Sequence, residues 1–532
     1  MKKQNVLAIF LSACLLFTAC APAVQSADDT VPPYTQENLI TKEVPEGTVK
    51  IDLSDESIKV NGEEISSDAT ASVYTANDIV FYEEGKDFTY GEGTEKDEHS
   101  QAEADKHTVV HITEPGAYVL SGKLSAGQIA VDLGEDAKDD PNAVVTLVLY
   151  GVDITCTVAP AVIFYNVYEC GEADEETAKM EVDTSAAGAN VIIADGSTNN
   201  IRGSYVARIY KSVELNEDKT EVVDSKKLHK YDGAFYSKMS MNVYGEKEST
   251  GVLNIYAENE GLDTELHLKV YSGNIHIESG NDGINTNEDN VSVTHILGGT
   301  LNILTTGSTG EGDGIDSNGW LIVDGGVVTA AGCGISGDAG IDADKGVYIR
   351  GGQVIASANM LDHVQGDQIH LVLTFAQKQK GGTAYTLKNA DGNIVLTCTP
   401  ANDFQYLILS SPVITEGEYT LWQGETQLSA AKGGGQMGGG MGDPGMGRPE
   451  GERPEMPEGE MPEGNPPAKP EGELPSMPDG QFPPRPVDSR PDGEQHPGGD
   501  MGRPGMGQGG TAEASRTLVV TAGGNYYQII AM

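Results

Sequence analysis

Gly261-Leu262-Asp263-Thr264, Gly283-Ile284-Asn285-Thr286, Gly314-Ile315-Asp316-Ser317 and Gly340-Ile341-Asp342-Ala343 are four forms of one tetrad. Each is followed by a β-type run: Leu266 to Val270, Val291 to Val293, Leu321 to Val323 and Val347 to Ile349. A turn comes next, at Gly273, Gly298-Gly299, Gly325-Gly326 or Gly351-Gly352. A second run then follows: Asn274 to Ile277, Leu301 to Leu304, Val327 to Ala330 and Val354 to Ala356. The first glycines stand 22, 31 and 26 residues apart, so the unit is a little over twenty residues with insertions in its loops. One such unit cannot bury its own Ile, Leu and Val, but a stack of units can. The pattern therefore predicts an all-β solenoid of short strands, with Gly permitting the corners. A β-sandwich of regular hairpins also spaces its strands by about 8 to 12 residues, yet its hairpins have no reason to repeat a tetrad.

Upstream, Thr108 to Ile112, Gly116 to Gly122, Gln128 to Asp132 and Val144 to Leu149 are further short β runs between turn signals. No amphipathic helix is expected after the N-terminal segment. Residues 366–430 and the last stretch, Thr517 to Thr521 and Tyr526 to Ile530, are β-like. Between them, residues 433–510 hold 22 Gly, 16 Pro and 8 of the 14 Met. Such material cannot bury enough surface to offset its ordering entropy, and a disordered insertion is expected.

The chain has 532 residues, with 34 Lys and Arg against 81 Asp and Glu, a net charge of −47. That balance argues against nucleic acid, whose phosphates need a basic surface, and against an anionic membrane surface. Lys2 and Lys3 precede an apolar stretch from Val6 to Phe17, the length of a signal-peptide core. Leu16-Phe17-Thr18-Ala19-Cys20 then resembles a bacterial lipobox, with Phe17 an imperfect fit. The resemblance implies cleavage before Cys20, acylation of its thiol and a place on the extracellular face of the bacterial membrane. Ordinary secretion with a cut near Ala19 or Ala21 is the alternative. Cys156, Cys170, Cys333 and Cys398 are sparse for a disulfide framework and are expected to be free and buried, although Cys156 and Cys170 are close enough in sequence to pair.

Equal positions in successive coils stand about 4.8 Å apart. The tetrads therefore stack Asp263, Asn285, Asp316 and Asp342 into a ladder, with Asp282 and Asp313 at its edge. Like charges at that spacing repel unless they are protonated or bridged. Calcium is the natural bridge, because it accepts six to eight oxygens in flexible geometry. The alternative is that these side chains only cap turns through hydrogen bonds to the backbone.

Ile112 to Gly122, Gln128 to Asp132, Val145 to Ile154, Pro160 to Ile163, Val191 to Asn199, Asp232 to Lys238 and the tetrads, taken in order, resemble the clostridial cell-surface carbohydrate-binding domain family. The resemblance spans roughly residues 76–360. It implies a right-handed parallel β-helix, similar in fold to pectate lyases, with bound calcium. It also implies binding of plant cell-wall polysaccharide, cellulose or polygalacturonate, without clear cleavage. Departures are the insertions at 305–312 and around Cys333 to Asp338, and Asn285 in place of Asp. The organisation expected is a signal peptide at 1–19 and a lipid-anchored tether at 20–75. A β-helix at 76–360 follows, then a small β domain at 361–432 plus 511–532 that carries the 433–510 insertion.

A lyase of this kind needs a base near the calcium to take the proton alpha to the uronate carboxylate, and the resemblance implies a Lys or Arg in that role. Lys269, Lys345 and Arg350 are the candidates, and none lies in a recognisable catalytic constellation. Trp320, just after the third tetrad, is the candidate aromatic platform for a sugar ring, whereas Tyr271 and Tyr348 read as ordinary strand residues. The reading is a monomeric, non-catalytic, calcium-stabilised binder of a pectic or cellulosic polysaccharide. A calcium-dependent lyase and a structural surface adhesin are the alternatives. An acidic glycan would need calcium to overcome the charge of the chain, and a neutral one would not.

Overall fold

The computed structural model describes residues 34–171, 173–228, 231–433 and 514–530. The signal peptide, Cys20 and the segment beyond 433 up to 513 lie outside the described residues. The chain is all-β, with a four-residue helix at Gln101–Ala104 and a 3-10 turn at Glu135–Asp139 among the described residues.

The first three repeat units supply one strand to each of three ladders, and the fourth supplies one to each of two. The tetrads form Glu260–Thr264, Ile284–Thr286 and Ile315–Ser317, which pair in parallel with one another and, upstream, with Gly233–Ser237. The runs after them form Leu268–Val270, Val293–Ile296, Trp320–Val323 and Val347–Ile349, again parallel. The runs after the Gly turns form Asn274–Ser279, Thr300–Thr305, Val327–Ala331 and Gln353–Ala358, parallel as well. Hairpins would pair antiparallel, so parallel pairing between units excludes the sandwich for this part of the chain. The inward positions stack like on like and are closed to solvent: Leu262, Ile284 and Ile315 in one row, Ile275, Leu301, Val328 and Val354 in another.

The glycines act in two ways. At the turns the second glycine lies in the left-handed region, with φ of 89° at Gly299 and 79° at Gly326. At the tetrads φ is ordinary and the demand is steric. A Cβ on Gly283 would stand 2.6 Å from the carbonyl oxygen of Gly314, and one on Gly261 2.5 Å from that of Gly283. The tetrad glycine is thus a close-approach residue rather than the corner residue that the sequence suggested.

The expected tether is corrected over its described part. Val49–Leu53 runs parallel to Tyr118–Gly122 and adds a rung to a ladder. Val73–Ala76 pairs antiparallel with Val109–Ile112. Further upstream, Ser272 Oγ donates to the Ile40 carbonyl at 2.7 Å and Gln36 Nε2 to that of Leu297 at 2.9 Å. The apolar alternation of Val49, Ile51 and Leu53 is only five residues long, too short for periodicity to reveal in a polar segment.

After the last repeat, Phe404–Ser410 pairs antiparallel with Val354–Ala358, so a smaller module grows from the end of a ladder. Its core contains Leu371, Leu373, Phe375, Tyr385 and Phe404. The chain end returns to it: Gly524–Ile530 runs parallel to His370–Gln379, and Leu518–Val520 pairs with Gly417–Gln423. Asn402 Nδ2 ties the module to the repeats by donating to the carbonyls of Thr305, at 2.7 Å, and Gly332, at 2.8 Å. All four described cysteines are free; Cys156, Cys333 and Cys398 are buried and Cys170 half-buried. Among the described residues no helix is long and apolar enough to cross a membrane.

Candidate metal centre

The tetrad ladder places Asp263 beside Asn285 and Asn285 beside Asp316 in Cα register. Asp342 falls on the next rung, because its amide donates to the Ile315 carbonyl at 2.8 Å and the Asp344 amide to that of Ser317 at 3.1 Å. Six expected ligands are therefore brought onto one stripe, but they divide into two groups.

At one end the stripe is closed by amides. Asn287 Nδ2 donates to Asp263 Oδ1 at 2.5 Å, and Asn285 Nδ2 to Asn287 Oδ1 at 3.2 Å. Asn in place of Asp at 285 thus replaces a repulsion by a hydrogen-bonded chain. The Asn285 Oδ1 is buried without a hydrogen-bond partner.

The other end is purely acidic. Asp313, Asp316 and Asp342 bring carboxylate oxygens within 4.8 Å of one another. A calcium ion 2.3–2.6 Å from each of its oxygens allows a separation of up to about 5 Å, so one ion can reach all three. Asp282 Oδ1 accepts from the Asp313 amide at 2.7 Å, and Asp313 accepts from the Ala339 amide. Burial first, and the charge of Asp282 second, push the Asp313 carboxyl up to about 9. Asp316 is raised to about 7 by burial, then by Asp282 and Asp342. Asp342 is raised to about 7 by burial, then by Asp362 and Asp344. The strongest charges acting on each are other aspartates, so the cluster holds protons at neutral pH unless a cation replaces them.

Two acids at this end escape the tetrad. Asp344 lies two residues after Asp342, and its carboxyl is raised by burial and Asp289. Asp362 follows the last repeat; burial raises it too, and its Oδ2 has no hydrogen-bond partner. Asp344 could have been found from its two-residue spacing to Asp342, whereas nothing in the repeat pattern points to Asp362.

Trp320 opens its strand one turn after Asp316. Its ring is half-buried, and Lys345 Nζ sits 5.4 Å from the ring centre. The three basic candidates are mostly committed elsewhere. Lys269 is buried and donates to the Val182 carbonyl. Arg350 forms a fork on Asp324, at 2.7 and 2.8 Å, and reaches Glu181 at 2.5 Å. His295 Nε2 also lies 2.8 Å from Asp324, which these partners hold well below the usual carboxylate range despite its burial. Lys345 comes nearest to the cluster, through its charge on Asp344. Tyr271 stacks at 4.5 Å on Tyr244, whose ring lies under Lys42, as a packing residue.

A family model for carbohydrate-binding domain-containing proteins matches residues 106–392, more than half of the chain. The chain belongs to that family. The match starts with the strand Thr108–Ile112 and runs past the expected boundary at 360 into the smaller module, so this carbohydrate-binding domain includes the module's first strands. No curated protein matches the chain. Among solved structures, it is similar to a polysaccharide lyase-like protein from C. thermocellum, solved as a gadolinium derivative. The identity is 19%, over 60% of this chain and 96% of that one, with a TM-score of 0.31.

Proposed function

We infer that the chain is a non-catalytic polysaccharide-binding protein whose scaffold is a right-handed parallel β-helix stapled by calcium. Family membership supports a carbohydrate ligand. The helix reading is supported by the three parallel ladders, each taking one strand from each of the first three repeat units. The handedness rests on the family resemblance.

Calcium is supported by the observation that carries this reading: three carboxylates within 4.8 Å whose neighbours are further aspartates. Asp282, Asp313, Asp316 and Asp342 would hold the ion, with Asn285 Oδ1 and Asp362 as further oxygens beside it. Asp263, already bonded to Asn287, serves the stripe rather than the ion. A bound calcium would share its remaining coordination sites with uronate carboxylates, and Trp320 with Lys345 is the platform this reading assigns to the sugar beside it. Two of the three basic candidates, Lys269 and Arg350, are engaged elsewhere, which supports binding over cleavage. The lipid anchor at Cys20, the extracellular location and the monomeric state complete the proposal.

The test is a pull-down of the full mature chain on insoluble polysaccharides, with calcium and with EGTA, while a soluble pectate reaction is followed for unsaturated-uronide absorbance. Calcium-dependent retention on pectate without new absorbance is expected. Retention on no glycan would overturn the binding role, and a rising absorbance would overturn the non-catalytic one.

A further inference from the structure

The ladder that follows the Gly turns carries its own stripe, on a different face from the aspartates. We propose that this outer face is a second, metal-independent groove for an uncharged, extended polysaccharide chain lying across the strands. The inference rests on the polysaccharide-binding reading above and assigns it a separate site.

Two adjoining clefts, of about 340 and 470 Å³, share the lining residues Tyr256 and Glu278 and together make up the trough. Two rows of outward positions in strict register cross it and continue beyond it, with Asn200 and Asn254 outside its lining. One row runs Arg202, Tyr256, Glu278, Leu304 and Ala331; the other runs Asn200, Asn254, His276, Asn302 and Thr329. Both repeat at the spacing between strands, about 4.8 Å, close to the length of one sugar unit in an extended β-linked chain. A polymer laid along the rows therefore meets one side chain of each row at every unit, although the residue types change along the first row.

The chemistry of the rows suits hydroxyl groups. Asn254 Nδ2 donates to Asn200 Oδ1 at 3.0 Å, and Asn302 Nδ2 lies 3.3 Å from His276 Nδ1, so the planar side chains are held side by side. Tyr256 is 39% exposed, high for a tyrosine in the middle of a ladder. Arg202 steadies its ring from 4.7 Å while bonding Asp153 at 2.8 Å, which leaves an anchored aromatic for a pyranose to lie against. One end of the trough is walled by Thr397 to Ala401 of the smaller module.

Charge selects the ligand. Glu258 and Glu278 line the trough, and its one guanidinium is already paired with Asp153. A polyuronate is repelled there, and among the described residues no cluster of three carboxylates lies there to recruit calcium on its behalf. An uncharged glycan is indifferent to both conditions.

The test compares swollen cellulose in EGTA with polygalacturonate in calcium, using the full mature chain. Tyr256→Ala removes the aromatic, and Thr329→Trp fills the trough without deleting a core atom; both variants should keep the wild-type melting temperature. Retention on cellulose is expected to weaken roughly tenfold in each, with polygalacturonate retention unchanged. Unchanged cellulose retention in both variants would overturn the groove while leaving polysaccharide binding intact. Wild-type protein that binds polygalacturonate but not cellulose would do the same. Failure of wild-type protein on every glycan would remove the parent reading as well.

Discussion

In EGTA the protein is expected to melt at a lower temperature at pH 8 than at pH 6.5, and calcium is expected to reverse that order. The cause is the trio Asp313, Asp316 and Asp342, whose carboxyls stand at about 9, 7 and 7 in the folded chain, against about 3.9 for an unfolded Asp. Between those limits the folded state binds protons that the unfolded state has released. Stability is therefore fullest below the unfolded value and is lost as the pH climbs through the folded ones. Other groups act in different windows. Asp324, held low by His295 and Arg350, contributes stability above the ordinary carboxylate range and loses it only in acid. His107 and His370 are depressed by burial, so their charging matters below the ordinary imidazole range. The interval from pH 6.5 to 8 is thus governed mainly by the aspartates, the two histidines acting only at its lower edge. Calcium replaces the protons and binds best where they are fewest. At a hundredfold excess over its Kd it adds about 2.7 kcal/mol, which at about 2–4 °C per kcal/mol is roughly 5–10 °C at pH 8. Asp316→Asn should separate the two effects, raising the melting temperature in EGTA and abolishing the calcium increment. A melting temperature that ignores calcium at both pH values would leave the cluster without a cation.

The stripe behind that prediction was largely legible before any coordinates. Aligning the tetrads by their glycines puts Asp263, Asn285 and Asp316 in the order and register that the strands adopt. The insertions at 305–312 and 333–338 leave that register intact because they lie in loops between ladder strands. The division of the stripe was not legible. Nothing in the tetrads says that Asn287 takes Asp263 out of the acidic group, since that bond depends on where a loop side chain turns. Asp362 was invisible because it follows the last repeat. The folding of 34–75 was missed for a related reason, as its strand is stabilised by a neighbour 69 residues away rather than by its own pattern. The groove could have been found: His276 and Asn302 each sit between two inward apolar residues in aligned runs, Ile275 with Ile277 and Leu301 with Ile303.

Gly283→Ala is expected to be among the most damaging single-methyl changes in the chain, costing about 3 kcal/mol. A glycine with ordinary φ commonly gains about 0.4–1 kcal/mol on becoming alanine, because the unfolded chain loses freedom. Gly283 has no left-handed φ, so that gain is available in principle. Sterics outweigh it. The new Cβ would lie 2.1 Å from Ile303 Cγ2 and 2.6 Å from the Gly314 carbonyl oxygen. A branched core side chain and a backbone atom of the next rung are both costly to move, and overpacking of this kind costs typically about 1–3 kcal/mol, occasionally more. Gly337 is the matched control, with ordinary φ and nothing within 4 Å of its added Cβ; Gly337→Ala should be neutral or slightly stabilising. The rung spacing also links Gly283 to the metal centre. Its amide donates to the Asp313 carbonyl at 3.0 Å, and the neighbouring Asp282 carboxylate accepts from the Asp313 amide. Forcing the rungs apart at 283 should therefore lower calcium affinity as well as urea stability, whereas a defect confined to the core would lower stability alone. Equal urea midpoints for the two alanine variants would mean that these glycines do not set the rung spacing on which the aspartate stripe depends.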